Sequence, residues 1–83
     1  MTRNEKQVLE VLATVTNRSV ESIERGQNLS VDLGLDSAKG LEFMLELETN
    51  ANIVIPDEDA ARLVTVGDIL DYVKNMDTER EKV

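Results

Sequence analysis

The sequence predicts an all-α domain of three longer helices and one short helix. Apolar residues recur at helical spacing in three segments, and the only alternating run is too brief for a strand. Gly, Pro and Thr punctuate the chain where helices would begin or end. With 83 residues this is one domain, near the lower limit for a self-supporting core.

The first helix is expected from Arg3 to about Thr16, where Val8, Leu12 and Val15 keep helical spacing and Leu9 and Val11 widen the stripe. Asn17 and Arg18 break the pattern. A long loop to Leu29 follows, with Gly26-Gln27-Asn28 as a turn-rich triplet, and Val20, Ile23 and Leu29 are expected to pin it. Gly34 suits a tight turn, since glycine reaches positive φ without steric cost. Asp36 or Ser37 then caps a second helix running from about Ser37 to Asn50.

Plotted at about 100° per residue, the second helix has more apolar surface than one buried face requires. Gly40, Phe43, Met44, Leu47 and Ala51 share one arc, Ala38, Leu41 and Leu45 a second, and Ser37 and Glu48 lie between. A glutamate is costly to bury unpaired, so the second arc reads as at least partly exposed, a docking surface ringed by carboxylates. Periodicity equally allows one wide core stripe with Glu48 reaching solvent at its edge.

Ile53-Val54-Ile55, closed by Pro56, reads as an extended connector. Pro56-Asp57-Glu58-Asp59 has the composition of a helix start, giving a short third helix to about Arg62. Thr65-Val66-Gly67-Asp68 has the form of a cap, and Val66, Ile69, Leu70 and Val73 form the stripe of a fourth helix ending near Asn75. The folded domain is thus expected within residues 1–75, with 76–83 a polar, frayed tail.

The absence of Cys and His removes disulfides, thiolate metal sites and the usual general base, which argues against conventional hydrolytic catalysis. Ser37 therefore reads as the acceptor of another protein's chemistry or as a plain helix cap. A calcium loop starting at Asp57 fails because its sixth position is Arg62, not Gly, and Gly34 and Gly40 lack the spacing of a phosphate loop. No metal site is expected. No apolar run approaches a membrane span and residues 1–6 do not read as a signal peptide, so a soluble, cytoplasmic protein is expected.

The net charge of -8 is concentrated in the middle of the chain: residues 32–71 hold ten acids against Lys39 and Arg62, while both flanks balance. Such a field repels nucleic acid and anionic membranes and steers basic protein partners. A solvated surface kept for solubility is the alternative.

Asp32-Leu33-Gly34-Leu35-Asp36-Ser37, Leu41-Glu42, Leu47-Glu48, Ile55-Pro56-Asp57-Glu58-Asp59-Ala60 and Thr65-Val66-Gly67-Asp68-Ile69-Leu70-Asp71-Tyr72-Val73 together closely resemble the acyl carrier proteins over nearly the whole chain. The resemblance implies a small four-helix bundle in which Ser37, beside Asp36, receives 4'-phosphopantetheine from coenzyme A. A separate magnesium-dependent phosphopantetheinyl transferase performs that step, and acyl groups then ride as thioesters on the arm's thiol. It further implies a monomeric carrier, not an enzyme. Acyl transferases, ketosynthases or ligases would dock by basic patches on the second helix, here through Ala38, Lys39, Leu41, Glu42, Leu45 and Glu48, and the acyl chain can shelter between helices.

Ala38 stands where the family usually has leucine, Lys39 where an acid is common, Gly40 where a better helix former is usual, and Thr49-Asn50-Ala51 where acids and an aromatic often follow. These departures favour a free-standing carrier in a dedicated polyketide, specialised fatty-acyl or lipid pathway. The alternatives are a housekeeping fatty-acid carrier, an aminoacyl, peptidyl or D-alanyl carrier, and an unmodified acidic adaptor.

Overall fold

A computed structural model describes residues 2–81, with side-chain surroundings through residue 76. The chain folds as α1 (Arg3–Thr16), a 3₁₀ turn (Val20–Ser22), α2 (Ser37–Glu46) continued by a π-helical segment (Leu47–Ala51), α3 (Asp57–Ala60) and α4 (Val66–Glu81). Three longer helices and one short one match the expected class, and α1 packs on both α2 and α4.

α1 starts where its sequence can satisfy orphan amides. Thr2 Oγ1 accepts from the Glu5 amide at 3.2 Å while Glu5 Oε1 accepts from the Thr2 amide at 2.9 Å, a reciprocal cap. The helix ends at Asn17, which takes a left-handed φ of 56°, a conformation Asn tolerates better than most residues. Val8, Val11, Leu12 and Val15 meet Phe43, Leu47, Ile53, Ile55, Val66, Ile69, Leu70 and Val73 in one core.

The loop between α1 and α2 is tied down by backbone more than by side chains. The Leu29 amide donates to Val64 O at 3.0 Å, Val66 N to Gln27 O at 3.0 Å and Gly67 N to Arg25 O at 2.9 Å, around a single antiparallel bridge between Asn28 and Thr65. A Cβ at Gly67 would lie 3.3 Å from Arg25 O, so the absent side chain permits this approach. Ile23 and Leu29 are buried as expected and Leu33 joins them, but Val20 is 39% exposed and pins nothing. It lies in the 3₁₀ turn, whose side chains contribute nothing to the core.

Three helix ends differ from expectation. The segment after Glu46 widens because the Leu47 carbonyl accepts from Asn52 and Ile53, not four residues on, with Asn52 left-handed at φ 55°. This carries the helical backbone to Ala51 while both Leu47 and Ile53 stay buried. α3 stops at Ala60, after which the Arg62 and Leu63 amides bond three residues back to Asp59 and Ala60 in tighter turns. α4 does not end near Asn75 but continues to Glu81, and Met76 packs against the core. Residues 77–81 contain no Gly or Pro, so nothing in them interrupts backbone hydrogen bonding even though apolar spacing has ceased. Residues 82 and 83 of the expected frayed tail lie outside the described residues.

The expected cap of α4 is present: Asp68 N donates to Thr65 Oγ1 at 3.2 Å, and Asp68 Oδ2 accepts from the Thr65 amide at 3.1 Å and the Val64 amide at 3.0 Å. Those amides hold the Asp68 carboxyl below its ordinary range. The Thr2 amide does the same for Glu5, against the opposing effect of burial. Both groups bind protons less readily folded than unfolded, so their stabilisation is complete above the unfolded carboxylate value and is lost as pH falls through the lower folded values. The urea midpoint should therefore fall below about pH 4, and Asp68→Asn should flatten part of that fall. Parallel pH profiles for the two proteins would show that the cap does not titrate with unfolding.

Candidate functional site

The turn before α2 delivers a serine to the helix start. Gly34 has a φ of 70°, which lets Leu33 bury and the chain reverse within a residue or two. Asp36 is the cap: its Oδ1 accepts from the Lys39 amide at 2.8 Å and its carbonyl from the Gly40 amide at 2.7 Å. Capping therefore falls to Asp36, of the two candidates the sequence left open, and Ser37 becomes the first helical residue. Its side chain is exposed, and no hydrogen bond among the described residues engages its hydroxyl.

The two arcs of α2 separate as inside and outside. Phe43 and Leu47 are buried and Gly40, Met44 and Ala51 are half-buried, whereas Leu41 and Leu45 are 62% and 54% exposed. Ala38, Glu42 and Glu48 are exposed beside them. The wide core stripe allowed by periodicity is thus not what forms. Lys39 turns away from the outer arc: its Nζ donates to Val15 O at 3.4 Å, at the C-terminal end of α1. No basic residue occupies the last turn of α1 itself, so Lys39 supplies positive charge where the helix dipole is negative. About 160° of helix separates it from Leu41, so among the residues expected to meet partners it stands apart.

Val54 is absent from the residues expected to form the site, yet it is 57% exposed and shares a shallow groove with Leu41, Leu45, Glu48 and Asp57. Its signal was the two-residue alternation of Ile53-Val54-Ile55, whose outer members are buried. On the other side of α2 lies a cavity of about 470 Å³ whose lining includes Leu35, Gly40, Phe43, Met44, Leu63 and Ile69. Asn28 and Ser30 are the polar side chains along it, and none of its lining residues is charged. Tyr72 Oη donates to Asp59 Oδ2 at 2.7 Å, tying α3 to α4. No helix of the described residues is long and apolar enough to cross a membrane.

An exposed, unengaged serine hydroxyl at the open end of α2 fits a phosphodiester, since the first amides of a helix favour an anion. Residues 6–73 match the family profile described as "Phosphopantetheine attachment site". The chain is 33% identical over 70 residues to an acyl carrier protein of Rickettsia bellii, covering 84% of this chain and 81% of that one. It is 35% identical over 74 residues to an acyl carrier protein of Porphyromonas gingivalis, covering 89% and 95%. It is also 39% identical over 75 residues to part of a polyunsaturated fatty acid synthase from a Thraustochytrium species, covering 89% of this chain and 3% of that much longer protein. The profile runs from the first helix into the fourth, and the free-standing relatives align over most of their own length. The chain belongs to the acyl carrier proteins, which bear 4'-phosphopantetheine and carry acyl groups without catalysing their reactions.

Proposed function

We propose that Ser37 is the residue that takes the 4'-phosphopantetheine arm and that the cargo is an alkyl acyl chain in a dedicated fatty-acyl or related lipid or polyketide pathway. The observation that carries this reading is the pairing of a free serine hydroxyl with an uncharged, largely apolar cavity one helical turn away. An aminoacyl cargo would bring an ammonium group that nothing along the cavity could pair, which is costly in an apolar site. The arm supplies a terminal thiol for thioester formation, chemistry that a chain without cysteine lacks. Asp36 holds the helix start so that the Ser37 hydroxyl projects outward. With no histidine in the chain, removal of the hydroxyl proton falls to the transferase.

The likeness to a segment of a polyunsaturated fatty acid synthase supports a specialised fatty-acyl route, as do Ala38 and Gly40. The free-standing relatives of similar length favour a housekeeping role as the second reading. Mass spectrometry of the chain from its native host tests the attachment and the cargo: an arm on Ser37 with an alkyl acyl group supports the proposal, and an aminoacyl group or an unmodified chain overturns it. Poor malonyl loading by a general fatty-acid synthase malonyl transferase supports the dedicated route, and efficient loading the housekeeping one. The carrier is proposed to act as a monomer in the cytoplasm.

Partners are proposed to dock on Ala38, Leu41, Glu42, Leu45 and Glu48, extended by Val54. The apolar members supply contact area and the carboxylates attract basic groups on the transferase and on acyl-handling enzymes. Lys39, held by α1, contributes to the orientation of α2. Exposed charges are screened beyond about 10 Å at 0.1 M ionic strength, so association with the transferase should slow about tenfold as salt is raised from low values to about 0.5 M. Glu42→Gln with Glu48→Gln should lower the low-salt rate and flatten the dependence. A rate that salt leaves unchanged would assign the encounter to the apolar residues alone.

A further inference from the structure

Gly40 lies inside α2, where glycine is the least favourable residue after proline. The usual reasons for glycine do not apply. Among the described residues the glycine at positive φ is Gly34, not Gly40, and a Cβ built on Gly40 meets nothing within 4 Å. What its missing side chain leaves is space, and that space belongs to the cavity, which Gly40 lines next to Phe43 and Met44. Ser37 is three residues earlier on the same side of the helix, so the two positions are neighbours about 5–6 Å apart at Cβ.

We infer that Gly40 is the threshold over which an alkyl chain tethered at Ser37 enters the cavity, and that its bare backbone sets how bulky a chain can pass. The inference rests on the attachment proposed for Ser37. The wall beyond the threshold is Phe43, Met44, Leu63 and Ile69, with Asn28 and Ser30 at one edge. An unbranched alkyl chain leaves no polar group unpaired on that wall. A side chain at position 40 would occupy open space at the edge of the cavity, since Gly40 is one of its lining residues and a Cβ there meets no neighbouring atom.

The test loads the full chain from octanoyl-coenzyme A or acetyl-coenzyme A with a broad-specificity transferase. Ser37 Oγ forms the bond to phosphorus, the adenosine 3',5'-bisphosphate half of the coenzyme leaves, and the hydroxyl proton passes to solvent. Two quantities are read: the melting temperature of octanoyl-loaded minus acetyl-loaded protein, and the methyl shifts of Ile55, Leu63 and Ile69. In the wild type the octanoyl form should melt higher and move those methyls. Gly40→Leu should lose at least half of both effects. Gly40→Ala should raise the melting temperature of the unloaded chain by about 4–8 °C, through helix propensity, and lose a smaller, measurable part of the octanoyl increment. Should Gly40→Leu fail to fold, Gly40→Ala alone decides. Glu10→Leu, exposed on α1 and apart from the cavity lining and the docking surface, should leave the increment unchanged. An octanoyl effect that is absent in the wild type, or equal in wild type and the Gly40 variants, overturns the inference. Absence of the adduct from the wild type, or its location on another residue by fragment mass, would instead overturn the Ser37 assignment.

Discussion

Ser37→Ala will remain at its unmodified mass when incubated with coenzyme A, magnesium and a broad-specificity phosphopantetheinyl transferase, under conditions in which the wild type gains one arm. The loss should be complete, because among the described residues no other hydroxyl stands at the start of a long helix behind a capping acid. Ser19 is extended before the 3₁₀ turn, the Ser22 hydroxyl donates to Ser19 O at 2.7 Å, and Ser30 lies in the turn whose amides are held by Asn28. The fold should survive, since an exposed substitution with no bond to lose usually changes stability by less than about 0.5 kcal/mol. Asp36→Ala separates presentation from chemistry. It keeps the hydroxyl but removes the bond to the Lys39 amide, a cap loss of about 1 kcal/mol, and modification should slow without disappearing. An adduct on Ser37→Ala would sink the assignment, and an unchanged rate with Asp36→Ala would show that the cap does not aid presentation.

Leu47→Ala should come close to unfolding the domain. Leu47 is fully buried at 0% exposure, at the point where α2 passes into its wider segment, and its carbonyl accepts from Asn52 and Ile53. Truncating a buried leucine costs about 2–5 kcal/mol. A chain of this size has only about 4–12 kcal/mol in total. At about 4–8 °C per kcal/mol the melting temperature should drop by at least about 8 °C. Leu45→Ala, two residues away and 54% exposed, should move it by no more than a few degrees while weakening partner binding. Circular dichroism melts of the two variants test the division of α2 into an inner and an outer face. Similar losses in both would mean that Leu45 is held in the fold.

The local devices of this chain were legible in its sequence because each depends on residues within one turn. The α1 stripe, Gly34 at positive φ, the acid before Ser37 and the Thr65–Asp68 cap all follow from spacing, caps and backbone sterics. So did the placement of Ser37 at a helix start. The family register, carried by residues from Asp32 to Val73, told what a serine there is used for, which the local chemistry of an unactivated hydroxyl left open.

Tertiary structure decided the rest, because those outcomes depend on partners far along the chain. Helical spacing alone sets Lys39 off the outer arc, but twenty-four residues separate it from the Val15 carbonyl to which its Nζ donates, and no periodicity encodes that pairing. The strap between Leu29 and Val64 closes the pocket edge through backbone groups that every residue possesses, so composition cannot announce it. Periodicity allowed Leu41 and Leu45 to be core. They stay outside because Phe43 and Leu47 already fill the space against α1, and a small domain has one core to fill. The cavity beside Gly40 likewise exists only once the loop, α2, α3 and α4 enclose it, although the glycine that opens it is a local and visible departure from helix preference.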